Sequence, residues 1–174
     1  SLLPPPDCGD SWTLPVRDTG WPVCLQTTPH TCSAAAAATI LYTLGIESSE
    51  QEMATLCLTR SGTTWLGLHH GLSTKLIGTR HRIEFFEGDL RRLQETATMH
   101  PVLLCCQLDP EVAEIIPEYV RDGGWIPGMA HSVVYFGKLQ GLHIIGDPSR
   151  GYEAWTERVL NTLWTGIGLR ITTL

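Results

Sequence analysis

Two groups of residues have the types and spacing that covalent chemistry needs. The first is Cys32 with Gln26 upstream of it. Cys32 follows Thr31, a residue type suited to cap a helix, and opens the strongly helix-forming run Ser33-Ala34-Ala35-Ala36-Ala37-Ala38. A cysteine in a first helical turn feels the positive end of the helix dipole and meets backbone N–H groups that lack a partner inside the helix. Both effects favour thiolate over thiol. The same N–H groups, with the side-chain amide of Gln26, suit an oxyanion forming beside the sulfur. Taken alone, Cys32 has a plainer reading, since most cysteines in Ala-rich helices are inert buried thiols.

The second group is His131 with Asp147. His131 opens a strand-like run over 132–136, and Asp147 closes the next one, over 142–146, just before Pro148. A hairpin sets the start of one strand beside the end of the next, so the two residues are expected to be neighbours at one end of a sheet. There an aspartate fixes the tautomer of a histidine and stabilises its imidazolium. Singly, Asp147-Pro148 reads as turn chemistry and His131 as a packed strand residue. Together with Cys32 the order changes the reading. A cysteine at a helix start, then a histidine and an aspartate on a distant hairpin, resembles the chain order of papain-like peptidases. Cys32 is then the nucleophile, His131 its base and Asp147 the group that orients the base.

Positioning these residues needs a scaffold. A helix is predicted from Thr31, with Ala36, Ile40 and Leu44 at helical spacing and Gly45 as its stop. Its small side chains allow close packing on several sides, so it is expected to be central. Ser49 with Glu52 forms a capping box that opens a second helix through Leu56 and Leu58. Further helices are expected over 65–72, 89–97 and 155–163. The runs 82–86, 102–108, 132–137, 142–145 and 166–172 are short, rich in branched and aromatic residues, and mostly bounded by Gly, Pro or Asp, which predicts strands. Helices first and mostly antiparallel strands afterwards define an α+β domain. Residues 1–22 read as an N-terminal arm or linker and 23–174 as the domain itself. The opening Ser1-Leu2-Leu3-Pro4-Pro5-Pro6 lacks the basic and apolar segments of a signal peptide. Its prolines favour an extended spacer, as at the end of a linker from a longer protein.

Composition narrows the function classes. The 174 residues suffice for one core, and 43% hydrophobic against 17% charged residues is a globular balance. A net charge of -6 with no cluster of Lys and Arg argues against a nucleic-acid partner. No apolar run reaches the roughly 18 residues that span a bilayer. The glycines form no phosphate-binding fingerprint. The six cysteines contain no Cys-x-x-Cys pair. Cys8 and Cys24 lie in loop-like sequence where they could pair, which would favour an oxidising, extracytoplasmic compartment. Cys105 and Cys106 are adjacent in a strand, face opposite ways, and are expected to be separate buried thiols. His69 and His70 with Cys57 suit a shared metal poorly, because adjacent helical residues point roughly 100° apart. No metal and no cofactor is therefore expected.

Several further pieces support a narrower resemblance. Gln26, six residues before Cys32, is placed like the oxyanion glutamine of the bacteriocin-processing, double-glycine peptidases, a branch of the papain-like superfamily. Thr31-Cys32-Ser33-Ala34-Ala35 resembles the start of their nucleophile helix. Gly62-Thr63-Thr64, Gly67-Leu68 and Gly78 are similar to their next glycine-marked helix. Pro101-Val102-Leu103-Leu104, His131-Ser132-Val133-Val134, Asp147-Pro148-Ser149-Arg150-Gly151 and Trp164-Thr165-Gly166 match the later segments in order. The resemblance covers most of residues 23 to 171. It implies a papain-like fold and a cysteine peptidase that cuts after Gly-Gly in a leader-type peptide. It also implies a monomeric domain fused to or associated with a membrane protein or transporter. Two departures stand out: Ser33-Ala34 where the family has Gly-Pro or Gly-Ala, and Ser132 where it has an aromatic residue. They bear on how peptide is held, and Trp125 and Ser132 are assigned to substrate binding. Two other readings keep the same residues: a non-hydrolytic peptide-binding domain of a larger membrane-associated protein, and a transglutaminase-like acyl transferase.

Overall fold

The computed structural model describes residues 3–15 and 19–174. Two short strands, β1 (Ser11–Trp12) and β2 (Cys24–Leu25), precede three helices, α1 (Cys32–Thr43), α2 (Glu50–Leu56) and α3 (Trp65–Leu76). Then come β3 (His81–Glu87), α4 (Leu90–Ala97), β4 (Val102–Gln107), α5 (Pro110–Ile115) and α6 (Glu118–Arg121). The remaining elements are β5 (Ala130–Leu139), β6 (Leu142–Asp147), β7 (Gly151–Trp155), α7 (Glu157–Leu163) and β8 (Trp164–Thr173). Strands β3 to β8 form one antiparallel sheet in the order β3-β8-β4-β5-β6-β7. The class is α+β, as the sequence predicts.

The sheet is covered on both faces, and strand alternation decides which residue goes where. Leu103, Val134, Leu169 and Ile171 join the cluster built on α1, α2 and α3. Their neighbours Val102, Leu104, Val133 and Tyr135 join the opposite cluster, with Leu93 of α4, Tyr119 of α6 and Leu160 of α7. Helix α1 is central: Ala34 to Ala38 are all fully buried, and α2, α3, β2, β4 and β5 pack around it. Gly45, in the left-handed region at φ +73°, follows its last turn.

Several boundaries differ from the sequence reading. Helix α2 stops at Leu56 because Leu58 takes a left-handed backbone, φ +58°. Helix α3 runs on to Leu76. Trp155 closes strand β7, and α7 starts after its cap Thr156. Strand β7 and helices α5 and α6 were not anticipated; they are only five, six and four residues long, too short for a periodic signal. The described part of the N-terminal arm is docked on the domain. β1 pairs with β2, the Cys8 N–H donates to Gln51 Oε1 at 2.8 Å, and the Trp12 ring lies 5.6 Å from that of Tyr42.

The pairing that Cys8 and Cys24 left open in the sequence is not made: all six cysteines are free thiols, so no bridge supports an oxidising compartment. Cys24 is fully buried in β2, and the Cys8 sulfur turns to the Pro6 carbonyl. No described helix is long and apolar enough to cross a membrane.

Helices α2 and α3 meet through a contact that leaves no room for a side chain. A Cβ placed on Gly71 would lie 2.3 Å from the Cys57 sulfur and 2.9 Å from the Cys57 backbone nitrogen. Gly71→Ala is therefore expected to destabilise the fold by about 1–3 kcal/mol, the usual cost of overpacking, measured by denaturant unfolding.

Candidate active site

Cys32 is the first residue of α1. The first backbone bond of the helix runs from the Ala35 N–H to the Thr31 carbonyl at 3.0 Å, so the N–H groups of Cys32, Ser33 and Ala34 lie ahead of the hydrogen-bond ladder. His131 is the second residue of β5, and Asp147 is the last of β6. The imidazole Nε2 lies 2.7 Å from Asp147 Oδ1. With Nε2 committed there, Nδ1 is the ring nitrogen left for another partner, and the Cys32 thiol is close enough for the His131 charge to act on it. Folding thus brings the three residues into one chain of contacts.

The electrostatics follow from that chain. Burial pushes the Cys32 thiol up, but the hydrogen bond and positive charge of His131 outweigh it and the net shift is downward. The Ser132 backbone and the Ser33 hydroxyl add smaller contributions in the same direction. For His131, burial favours the neutral ring, yet the Asp147 charge and hydrogen bond, helped by Cys32, raise it to about 10. Burial pushes Asp147 up, while the imidazolium, the Ser149 N–H and the Trp125 indole bring it below the ordinary carboxylate range. At neutral pH these shifts favour a thiolate–imidazolium pair over a neutral one.

Asp147 is fully buried and accepts from four donors. His131 Nε2, the Ser149 N–H at 2.9 Å and the Ser149 hydroxyl at 2.9 Å all reach Oδ1. Trp125 Nε1 donates to Oδ2 at 2.8 Å. The Trp125 ring also lies against the His131 ring, with centroids 4.4 Å apart. Trp125 is 2% exposed and does not line the cleft, so its expected place beside substrate is corrected: it holds the His–Asp pair from behind.

The loop carrying Gln26 is fixed at both ends. The Gln26 N–H donates to the Pro148 carbonyl at 2.8 Å, tying the loop to the turn after Asp147. Glu50, fully buried at the start of α2, accepts from the Thr27 N–H at 2.8 Å, from the Thr27 hydroxyl at 2.9 Å and from the Thr31 hydroxyl. Thr31 therefore occupies the cap position of α1 without capping it through its side chain. Gln26 gives one amide N–H to the Thr28 carbonyl at 2.9 Å, and an amide carries two.

A cleft of about 230 Å³ opens on Cys32, lined among others by Ser33, Trp65, Cys105, Met129 and Ser132. The two hydroxyls of Ser33 and Ser132 are hydrogen-bonded to each other at 2.7 Å. The residues that depart from the double-glycine pattern are thus bonded to each other within one site. A larger, open hollow of about 710 Å³ lies between the arm and the end of α1, and none of the three residues borders it. His69 faces the Ile83 carbonyl, His70 the Leu56 carbonyl, and Cys57 is buried against α3, so these three residues serve packing. Sequence reasoning missed Glu50, Trp65 and Cys105. No spacing rule marks them, since each reaches the site from a separate element.

No family model matches the sequence, and no curated protein does. Solved structures do match. The peptidase domain of Streptococcus ComA, a bi-functional ABC transporter involved in a quorum-sensing pathway, aligns at 19% identity over 86% of this chain and 96% of its own, with a TM-score of 0.65. A double-glycine-motif protease from an AMS/PCAT transporter, solved with its leader peptide, aligns at 16% identity over 90% and 94%, with a TM-score of 0.66. A putative C39-like peptidase from Bacillus anthracis aligns at 14% identity over 83% and 90%, with a TM-score of 0.61. The chain has the fold of papain-like cysteine peptidases. Within that class it has the fold of the double-glycine peptidase domains.

Iodoacetamide at neutral pH is expected to label Cys32 first. Burial lifts Cys8 to about 11 and Cys24 and Cys57 to about 12, and it raises Cys105 and Cys106 as well. His131→Ala should remove most of the advantage, because the strongest influence favouring the Cys32 thiolate is then gone. Equal labelling of all six thiols would contradict the geometry. In a double-mutant cycle, Ser33→Ala and Ser132→Ala should each cost about 1–3 kcal/mol, since each strands a buried hydroxyl. The pair together should cost less than their sum.

Proposed function

We propose that this protein is a cysteine peptidase that cleaves after Gly-Gly in a leader-type peptide. The observation that carries the proposal is Cys32 at the positive end of α1, beside an imidazole that rests on a buried carboxylate and whose charge favours the thiolate. His131 holds the proton of Cys32, and the thiolate attacks the scissile carbonyl. The oxyanion is met by the Cys32 N–H and the second amide N–H of Gln26, the first being spent on Thr28. His131 then passes its proton to the leaving amine, and water releases the acyl group with the same ring as base. Asp147 keeps the ring in register throughout.

The small cleft supports a substrate with glycines at the cut. Its volume is about 230 Å³, below the roughly 300–1,000 Å³ of ordinary ligand pockets, and Trp65 lines it. Ser33 and Ser132 present hydroxyls where the double-glycine pattern has glycine and an aromatic ring, which favours polar contacts with the peptide backbone. Transporter domains share the fold, and an exported peptide with a leader fits this reading of the site.

Peptides bearing a Gly-Gly site test the proposal, with product masses locating the cut. Cys32→Ala should abolish turnover and keep the fold. Asp147→Ala should lower kcat by roughly 10²- to 10⁴-fold without eliminating it. A bulky residue in place of the second glycine should block cleavage. Binding without any cleavage would support a non-hydrolytic domain, and transfer to added amines in preference to water would support an acyl transferase.

A further inference from the structure

A second carboxyl group sits beside Asp147. On the β6–β7 ladder Asp147 pairs with Gly151 and Ile145 pairs with Glu153, so Asp147 and Glu153 are diagonal neighbours on the same face. The Asp147 charge acts directly on Glu153 across that diagonal. The Glu153 side chain is 14% exposed. Its Oε2 accepts from Trp155 Nε1 at 3.1 Å and lies 3.5 Å from the Tyr119 hydroxyl. Its Oε1 is buried and receives no hydrogen bond from any described residue. Arg150 Nε stands 3.7 Å from that oxygen, beyond hydrogen-bond reach, and its guanidinium lies over the Tyr119 ring.

A buried oxygen without a donor, against a carboxylate, is a costly arrangement if both groups are charged. It is satisfied if one of the two keeps a proton and donates it to the other. Asp147 cannot be the proton holder of choice, because four donors already point at it and favour its charge. We propose that Glu153, in its protonated form, gives its Oε1–H to Asp147 and so acts as a positioning residue one step behind the triad. Asp147 Oδ2, with Trp125 as its only donor among the described side chains, is the oxygen with room for it.

The electrostatic balance agrees in direction. Burial first, then the Asp147 charge, raise Glu153 to about 7, against the lowering influence of Trp155 and Arg150. The titratable and charged groups facing it are Asp147 on β6, Arg150 in the following turn and Tyr119 on α6, with His131 reached through Asp147. For a carboxyl raised in this way, the neutral form persists below that value and is lost above it. Ionisation sets a second negative charge against Asp147 and loosens its hold on the imidazole.

The dependence on the peptidase reading is confined to the activity part of the test. In protein carrying isotope-labelled glutamate side chains, the Glu153 signal, assigned by its loss in Glu153→Gln, should titrate near pH 7. In Asp147→Asn it should move toward the ordinary carboxylate range. In turnover assays on a Gly-Gly peptide, Glu153→Gln should keep kcat within roughly threefold of the parent below neutrality. It should also lack the parent's decline through pH 7. Glu153→Ala should lose roughly tenfold or more, the size of one hydrogen bond to a charged group. A Glu153 midpoint in the ordinary carboxylate range, or a Glu153→Gln pH profile that copies the parent, would overturn the proposal. A protein with no turnover at all would count against the peptidase reading, and the titration would still decide where the proton resides.

Discussion

A carboxylate shut off from water needs donors, and much of this molecule is arranged to supply them to Asp147. Removing such a group from solvent costs several kcal/mol unless hydrogen bonds replace the lost hydration. Here the replacements come from three segments: the imidazole from β5, the indole from the loop before it, and the Ser149 N–H and hydroxyl from the turn after β6. Each donor fixes an element. The β5–β6 hairpin sets the imidazole, the Trp125 ring packs behind it, and the Asp147-Pro148-Ser149 turn folds back on its own carboxylate. The orientation of His131 toward Cys32 is a consequence of that satisfied charge.

The sulfur side depends on close packing. Helix α1 must bring its N-terminus to the end of β5, and only small side chains let a helix lie so near a sheet on one side and two helices on the other. The five alanines meet that requirement. Ser33 and Ser132 come within 2.7 Å across the same junction. The two hydroxyls satisfy each other there.

The approach to the site is held by polar contacts. Glu50 accepts three hydrogen bonds from the loop ahead of α1, and the Gln26 N–H ties that loop to Pro148. A loop fixed at both ends holds the Gln26 backbone in one place. The N-terminal arm adds a further layer, since β1 pairs with β2 just before this loop.

Much of this was legible in the residue order. The Ala-rich run, the capping pair Ser49 and Glu52, and the alternating strands follow from local chemistry, because propensity, capping and period act over a few neighbours. Cys32, His131 and Asp147 were legible for the same reason: one opens a helix, the others stand at strand ends. Tertiary structure decided what depends on residues remote in the chain. It moved Trp125 from the cleft to the back of the imidazole, left Cys8 and Cys24 unbridged, and matched Ser33 with Ser132. It also recruited Glu50 and Glu153, two acidic residues that look like solvated surface until burial gives each oxygen a need for a partner. Local sequence determines which backbone a segment prefers. Which polar atoms lose water, and must find one another, is determined only when the layers close.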